Sequence, residues 1–332
     1  MNALVLFNPG SGSGRAEARL RAGLAAELTR ARLRTTRSPA EARRMSAEAA
    51  ATGVEVLVVA GGDGLLSEVV NGLMSDPAAA SRMRLGLLPL GTGNDAARGL
   101  GLPGALRDAL GVVRRGRWRW IDLGRITAVG GRRPGSPPVR WFMNMALVGP
   151  VAGLRLEPAQ KRMWGRFAYL RRALPELLRL RACPIGLTLE GGERLRTEGY
   201  VVALANGPYM GGGVPIAASA RPDDGLLDVV LVPAVARRRL PGLVLRNLRG
   251  RTTPGRGIVR RRVRVVDVEV PPEVPFNVDG EVFRMAPARV EMWPAALRVI
   301  VPDGMEPDAI RRSGAGPGGV AREGMAPGEP AS

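Results

Sequence analysis

The chain has 332 residues, 45% of them hydrophobic and 24% charged, a balance that builds globular domains rather than a disordered polymer. It carries 49 basic and 30 acidic residues, one cysteine (Cys183) and no histidine, for a net charge of +19. These counts exclude Ser-His-Asp triads, histidine- or cysteine-built zinc sites and internal disulfides, and they leave Asp or Glu as the general base of any enzyme built here.

The first part alternates strand and helix. "ALVLFNP" reads as a strand, residues 14 to 33 as a helix, "LRTT" as a short strand and 39 to 52 as a helix. "VEVLVVA" is a strand, 65 to 74 a helix and "RLGLLPLG" a further strand, with helices near 94 to 99 and 104 to 115. Such alternation predicts an α/β fold with a doubly wound parallel sheet, whose ligands sit at the carboxyl ends of the strands.

After "RWIDLG" the pattern changes. "GGRRPGSPP" (130 to 138) is a loop, and "WFMNMALVG", "IGLTLEG", "YVVALANG", "LLDVVLVP", "VRVVDVEV" and "EVFRM" read as strands of an antiparallel domain. Basic amphipathic helices are expected at 159 to 181 and 236 to 249. "ALRVIVP" (296 to 302) is a last strand that returns to the first domain. The expected organisation is an α/β domain over 1–128, a β-rich domain over 129–290 and a disordered tail over 303–332. No apolar run reaches the roughly 20 residues of a membrane span, and "MNALVLFNPGSG" lacks the shape of a signal peptide, so a cytoplasmic protein is expected.

Three glycine-rich turns follow strands: "NPGSGSGRA" (8 to 16), "GGDGLLSE" (61 to 68) and "PLGTGNDAAR" (89 to 98). Each is either a tight strand-to-helix turn or a cradle of backbone N–H groups for phosphate. Lys161 is the single lysine, and Arg15 stands where a Walker-type loop needs lysine, which argues against a P-loop ATPase. Asp63 lies among the glycines of the second turn. A carboxylate beside phosphate is repelled unless a cation lies between them. The basic surface suits nucleic acid, anionic lipid or phosphorylated substrates. With 4% aromatic residues and no nucleic-acid-binding signature, nucleic acid is not expected as a partner.

Together, "NPGSGSG", "GGDGLLSEVVNGL", "LPLGTGNDAARGLGLP" and "FNVDGEVF" resemble the diacylglycerol kinase catalytic family, which includes sphingosine kinases and bacterial lipid kinases. The likeness runs over residues 1 to about 302. It implies an α/β domain and a β-sandwich with a nucleotide cleft between them, and transfer of the ATP γ-phosphoryl group to a lipid hydroxyl such as that of diacylglycerol. It implies that Gly61, Gly62 and Gly64 lie against ATP phosphates, that Asp63 reaches Mg2+ through water, and that Glu68 belongs to the same site. Gly91, Thr92, Gly93 and Asn94 would contact nucleotide, with Asp95 helping to hold the metal. Thr36 falls at a nucleotide contact, and Asn8, Pro9, Gly10, Ser11 and Gly12 form another wall. Asp122 is either a turn aspartate or linked to the metal. Leu65 departs from the family threonine and Ser67 from its asparagine, which removes one hydrogen bond to phosphate.

Asp279 and Glu281 are two apart, and residues so spaced share one face of a strand. On their own they read as the acids of a hairpin turn, for which Asp-Gly is a signal. The resemblance makes Glu281 the base that takes the hydroxyl proton and Asp279 its partner, with the two roles open to exchange. It also places a structural magnesium in the loop before "DGLLD", held by the Asp224 carboxylate and the carbonyls of Arg221 and Leu226. Within 159 to 181, Trp164, Phe167, Leu170, Leu174 and Leu178 form one stripe and Arg162, Arg166, Arg172 and Arg179 occupy other faces. That helix either packs on the core or meets an anionic bilayer, where the lipid substrate resides. The rival readings are a kinase of NAD or another small metabolite and a non-catalytic lipid- or nucleotide-binding relative. A homodimer is left open.

Overall fold

The computed structural model describes residues 3–11, 16–129, 137–153, 181–235, 258–285 and 287–303. The helices expected at 159 to 181 and 236 to 249, the tail beyond Asp303, Gly12, Lys161 and the arginines Arg162 to Arg179 lie outside them.

The first part builds β1 (Ala3–Phe7), α1 (Ala16–Glu27), β2 (Arg32–Thr35), α2 (Pro39–Ala51), β3 (Val56–Gly61), α3 (Asp63–Leu73), α4 (Pro77–Ala80), β4 (Arg84–Pro89), α5 (Asp95–Gly99) and α6 (Leu106–Arg115). The four strands pair in parallel in the order β2, β1, β3, β4. β1 and β3 are buried at every position, as their uninterrupted apolar runs require, whereas the edge strand β2 alternates between exposed and half-buried. The chain moves outward from β1 to β2 and then back past β1 to β3 and β4. Right-handed crossovers therefore place α1 on one face and α2 and α3 on the other. Accordingly α1 packs with α6, and α2 packs with α3. Ser38 caps α2, accepting the Glu41 N–H, with Pro39 in its first turn.

The second part comprises β5 (Trp118–Ala128), β6 (Val139–Phe142), β7 (Met145–Val148), β8 (Cys183–Leu189), β9 (Arg194–Ala205), β10 (Tyr209–Met210), β11 (Val214–Pro215), β12 (Leu227–Pro233), β13 (Val259–Val263), β14 (Val265–Glu269), β15 (Phe276–Val278), β16 (Glu281–Phe283) and β17 (Ala288–Ile300). All except β17 pair antiparallel with every neighbour, around a core that includes Ile126, Phe142, Leu187, Leu204, Val229, Phe276 and Val290. β17 is the hinge of the architecture. It runs antiparallel to β5 and β14, and its end pairs in parallel with β4 through Arg298 and Val299. One sheet therefore passes through both parts of the molecule.

Three elements differ from the sequence reading. α3 begins at Asp63 rather than Leu65, so the glycine turn is itself the helix start, with an acid in the first turn where the helix dipole favours one. β17 starts at Ala288, eight residues before the expected strand, because it pairs with β5 on both sides of a bulge between Trp293 and Leu297. "WFMNMALVG" is two strands. The break at Met143 and Asn144 arises because the Asp279 carboxylate, and not a neighbouring strand, takes the N–H groups of Met143, Asn144 and Met145.

Candidate active site

The glycine turns after β3 and β4 lie against each other. A Cβ on Gly91 would meet the Gly62 Cα at 2.4 Å, and one on Gly93 would meet Asp63 Oδ2 at 2.7 Å. Two of these glycines therefore serve close approach of backbone to backbone and to a carboxylate. Gly64 is different: a Cβ there would meet nothing within 4 Å, so its bareness serves no contact within the chain.

The Asn94 and Asp95 side chains of the turn after β4 are engaged in building it. Asn94, at φ 52°, accepts the Gly91 N–H and donates Nδ2 to the carbonyls of Pro89 and Gly91. Asp95 accepts the N–H groups of Gly212 (2.8 Å) and Gly213 (2.6 Å) and pairs with Arg98 at 3.0 Å. These bonds clamp the α/β part to the glycine loop of the β part. Thr92 is exposed in the same turn. Thr36 is buried, with its hydroxyl 3.3 Å from the Phe7 carbonyl, and Asn8 accepts the Gly10 N–H, closing the turn that carries Pro9 and Ser11. Leu65 is buried in the core rather than turned to the glycine cradle.

Asp63 is held by backbone N–H groups at the start of α5. Its Oδ1 accepts the Ala96 N–H at 3.2 Å, at the start of α5, where the residue preceding the helix offers no side-chain cap. Burial, with the Asp95 charge beside it, pushes its carboxyl up despite the backbone N–H groups it receives. An acid so placed is improved by a cation. Asp279 lies within electrostatic reach of Asp63, and burial pushes it up to about 6 against three backbone N–H bonds. Among the described residues no three acids form a closed metal cage.

The "DGE" segment forms the two-residue turn between β15 and β16, with Asp279 at φ 47° and Gly280 at 96°. The turn is a hairpin, yet Asp279 is not solvated: it faces inward onto the 143–145 backbone. Glu281 is 31% exposed and its Oε2 accepts from Arg140 Nη2 at 2.8 Å. Burial pushes Glu281 up to about 7; Arg140 opposes that and the neighbouring Glu68 adds to it. Glu68 is buried as well, but the Arg140 and Arg43 guanidinium groups outweigh its burial and hold it below the ordinary carboxylate range. Thus Glu68 meets Arg43 of α2 and Arg140 of β6, and Arg140 in turn links it to Glu281 of the DGE hairpin.

The loop expected to hold a structural magnesium has a different charge partner. Asp224 accepts the Leu226 N–H with Oδ1 and the Arg262 guanidinium with Oδ2, and Asp223 pairs with Arg119. Both Asp224 oxygens are engaged, and the positive charge is supplied by arginine. This donor set does not fit a resident cation. Asp122 accepts the N–H groups of Gly225 and Ala295, fastening this loop to the β17 bulge, and burial pushes its carboxyl up to about 6.

The sequence reading missed Arg140, Arg43 and Asn71. Asn71 donates to the Trp141 carbonyl at 2.9 Å and accepts the Trp141 N–H at 2.9 Å, fixing β6 onto α3. "VVNGL" carried that signal, since an amide on a helix is able to pair a strand edge. A single arginine in β6 carries none.

The model of the diacylglycerol kinase catalytic domain matches residues 2–126, and that of the YegS C-terminal NAD kinase beta sandwich-like domain matches residues 154–301. A diacylglycerol kinase of Mycobacterium tuberculosis is 33% identical over 265 residues, which cover 79% of this chain and 82% of that protein. A protein of Xanthomonas oryzae pv. oryzae named "Probable lipid kinase YegS-like" is 36% identical over 282 residues, covering 82% of this chain and 86% of that one. The crystal structure of a diacylglycerol kinase from Bacillus anthracis str. Sterne superposes with a TM-score of 0.69 at 22% identity, over 91% of this chain and 97% of the other, and so shares the fold.

Proposed function

The chain belongs to the diacylglycerol kinase catalytic family, and from that premise we propose that it transfers the γ-phosphoryl group of ATP to the hydroxyl of a membrane lipid, diacylglycerol or a similar alcohol, in phospholipid metabolism. One observation carries the reading. Arg140, on the strand β6 that packs against α3, joins Glu68 of α3 to Glu281 of the β15–β16 hairpin, while Asp279 lies within electrostatic reach of Asp63. A base with its carboxyl at about 7 thereby faces the helix that begins in the glycine turn.

The chemistry follows from that placement. Glu281 accepts the proton of the lipid hydroxyl, and its poise near neutrality favours both the ionised base and the proton transfer. The lipid oxygen forms a bond to the γ-phosphorus as the bond to the β-phosphate oxygen breaks, and ADP leaves. Gly61, Gly62 and Gly64 allow the phosphates close to the backbone at the N-terminus of α3. Asp63 is the residue that would hold Mg2+ there together with the phosphates, and the ion would supply neutralisation of charge on the transferring group. Among the described residues no helix is long and apolar enough to cross a membrane. The net charge of +19 brings the protein to the anionic cytoplasmic face, at about 1 kcal/mol for each basic residue near the surface.

The test is transfer of label from γ-labelled ATP to diacylglycerol, sphingosine, phosphatidylglycerol and NAD, with the lipids in anionic and in neutral vesicles. Labelling of a lipid in anionic vesicles, lost in Asp63→Asn while vesicle binding persists, supports the reading. Labelling of NAD alone, or of nothing, contradicts it.

A further inference from the structure

We propose that Arg140 is a positioning residue for Glu281: one nitrogen of its buried guanidinium holds Glu281 and Glu68 side by side, which makes Glu68 the hydrogen-bond acceptor for the proton that Glu281 takes up rather than a nucleotide ligand. The inference deepens the proposed function and rests on it.

Arg140 stands on β6 and is 1% exposed. Its Nη2 is the donor to Ser67 Oγ at 3.0 Å, to Glu68 Oε1 at 2.7 Å and to Glu281 Oε2 at 2.8 Å. A guanidinium Nη carries two hydrogens, so three acceptors compete for two bonds. With both carboxylates ionised each takes one hydrogen, and the Ser67 hydroxyl, able to donate as well as accept, adjusts. Among the described residues Nε and Nη1 of Arg140 have no acceptor, and its hydrogen bonds there are concentrated at the point where the two acids meet. The Phe283 ring, 5.1 Å from the guanidinium carbon, backs it from β16.

Bracing the two parts of the molecule does not account for this arrangement. The adjacent residue, Trp141, already ties β6 to α3 through two hydrogen bonds with Asn71. A buried guanidinium with two unpaired nitrogens is costly beside such a brace. What Arg140 adds is an alternating row of charge: Arg43 from α2, Glu68 from α3, Arg140 from β6, then Glu281 from β16. Glu68 sits between two arginines, with Arg43 at 2.8 Å on its second oxygen, whereas Glu281 ends the row with a share of one. The proton therefore belongs on Glu281. When the substrate O–H breaks and a new O–H forms on Glu281, that hydrogen has the ionised Glu68 as its acceptor. The charged groups facing Glu281 are Arg140, Glu68 and Arg43.

The experiment measures kcat, ATP KM and the pH dependence of kcat for the full chain and for Arg140→Met, Arg140→Lys and Glu68→Gln, each checked by thermal melting. Arg140→Met is expected to lower kcat about 10²-fold, the cost of misplacing a reacting group, with ATP KM unchanged. Its acid limb moves to higher pH, and lysine restores part of kcat. Glu68→Gln moves the acid limb the opposite way, because the acid that opposes ionisation of Glu281 is gone. A rise in ATP KM at unchanged kcat, or limbs unmoved in folded variants, overturns the proposal. Should Arg140→Met fail to fold, Glu68→Gln alone decides. The Glu281 carboxyl is also titrated by 13C NMR, assigned by its loss in Glu281→Gln, which needs no turnover. A midpoint that falls in Glu68→Gln in a protein without lipid kinase activity overturns the proposed function and leaves the charge row standing. An unmoved midpoint in an active protein overturns the charge row alone.

Discussion

Two groups of acids in this molecule share similar motifs and have opposite fates. Asp95 lies in the turn after β4, Asp122 on β5 and Asp224 in the 221–226 loop, and their oxygens are engaged by backbone N–H groups or arginines. Asp63 and Glu281 lie along α3 and the DGE hairpin, each buried with incomplete compensation and pushed up. The first group holds the fold together and the second is left to act. Membership of a motif does not separate them, since Asp63 and Asp95 both follow glycines at the end of a parallel strand. Their partners separate them: Asp95, Asp122 and Asp224 are tied to loop backbone or to an arginine of their own, whereas Asp63 receives only N–H groups at the start of α5 and Glu281 shares one arginine nitrogen with Glu68.

The largest effect on stability should come from Asp95→Ala, which strips an acceptor from Gly212, Gly213 and Arg98. A loss of about 2–4 kcal/mol is expected from the several charge-assisted bonds involved, read by urea unfolding. A loss below about 0.5 kcal/mol would move Asp95 out of the structural group. Next is a pH effect. Burial pushes the Asp279 and Asp122 carboxyls of the folded chain up to about 6, above the ordinary aspartate range. The folded state therefore binds their protons more tightly. Their contribution is present below the unfolded value and is lost as pH rises through about 6. Melting without nucleotide should decline across that window, and the decline should flatten in Asp279→Asn. An unchanged slope would place Asp279 among the fully compensated acids.

The smallest effect is expected from magnesium without nucleotide. Since Arg262 occupies Asp224, the ion should move the melting midpoint by less than about 1 °C, there being no site for it to link to folding. Arg262→Gln should uncover a magnesium response that Asp224→Ala lacks. Magnesium stabilisation of the unaltered chain, lost in Asp224→Ala, would restore the metal to this loop.

Much of this organisation was legible in the residues. The apolar β-branched runs of β1 and β3 announced buried parallel strands, and the Asp-Gly pair announced the hairpin at 279–280. The glycine turns pointed to the cleft because a missing Cβ is a sequence feature. The break in "WFMNMALVG" was not legible, since it depends on a carboxylate more than a hundred residues away displacing a strand partner. Nor were the roles of Asn94 and Glu68: an amide turned inward and an acid between two arginines look in sequence like ligands. Arg140 left no trace because β6 is short and its arginine becomes buried only when α3 and β16 close on it.

The central claim is that Glu281, and not the acid two residues before it, takes the proton. It is tested most directly by single-turnover phosphoryl transfer from ATP to lipid in anionic vesicles, comparing Glu281→Gln with the unaltered chain above pH 7. A fall of roughly 10²–10⁴-fold with ATP binding unchanged is predicted, the range a general base supplies. Transfer within a few-fold of the unaltered rate would contradict it and send the proton to Asp279.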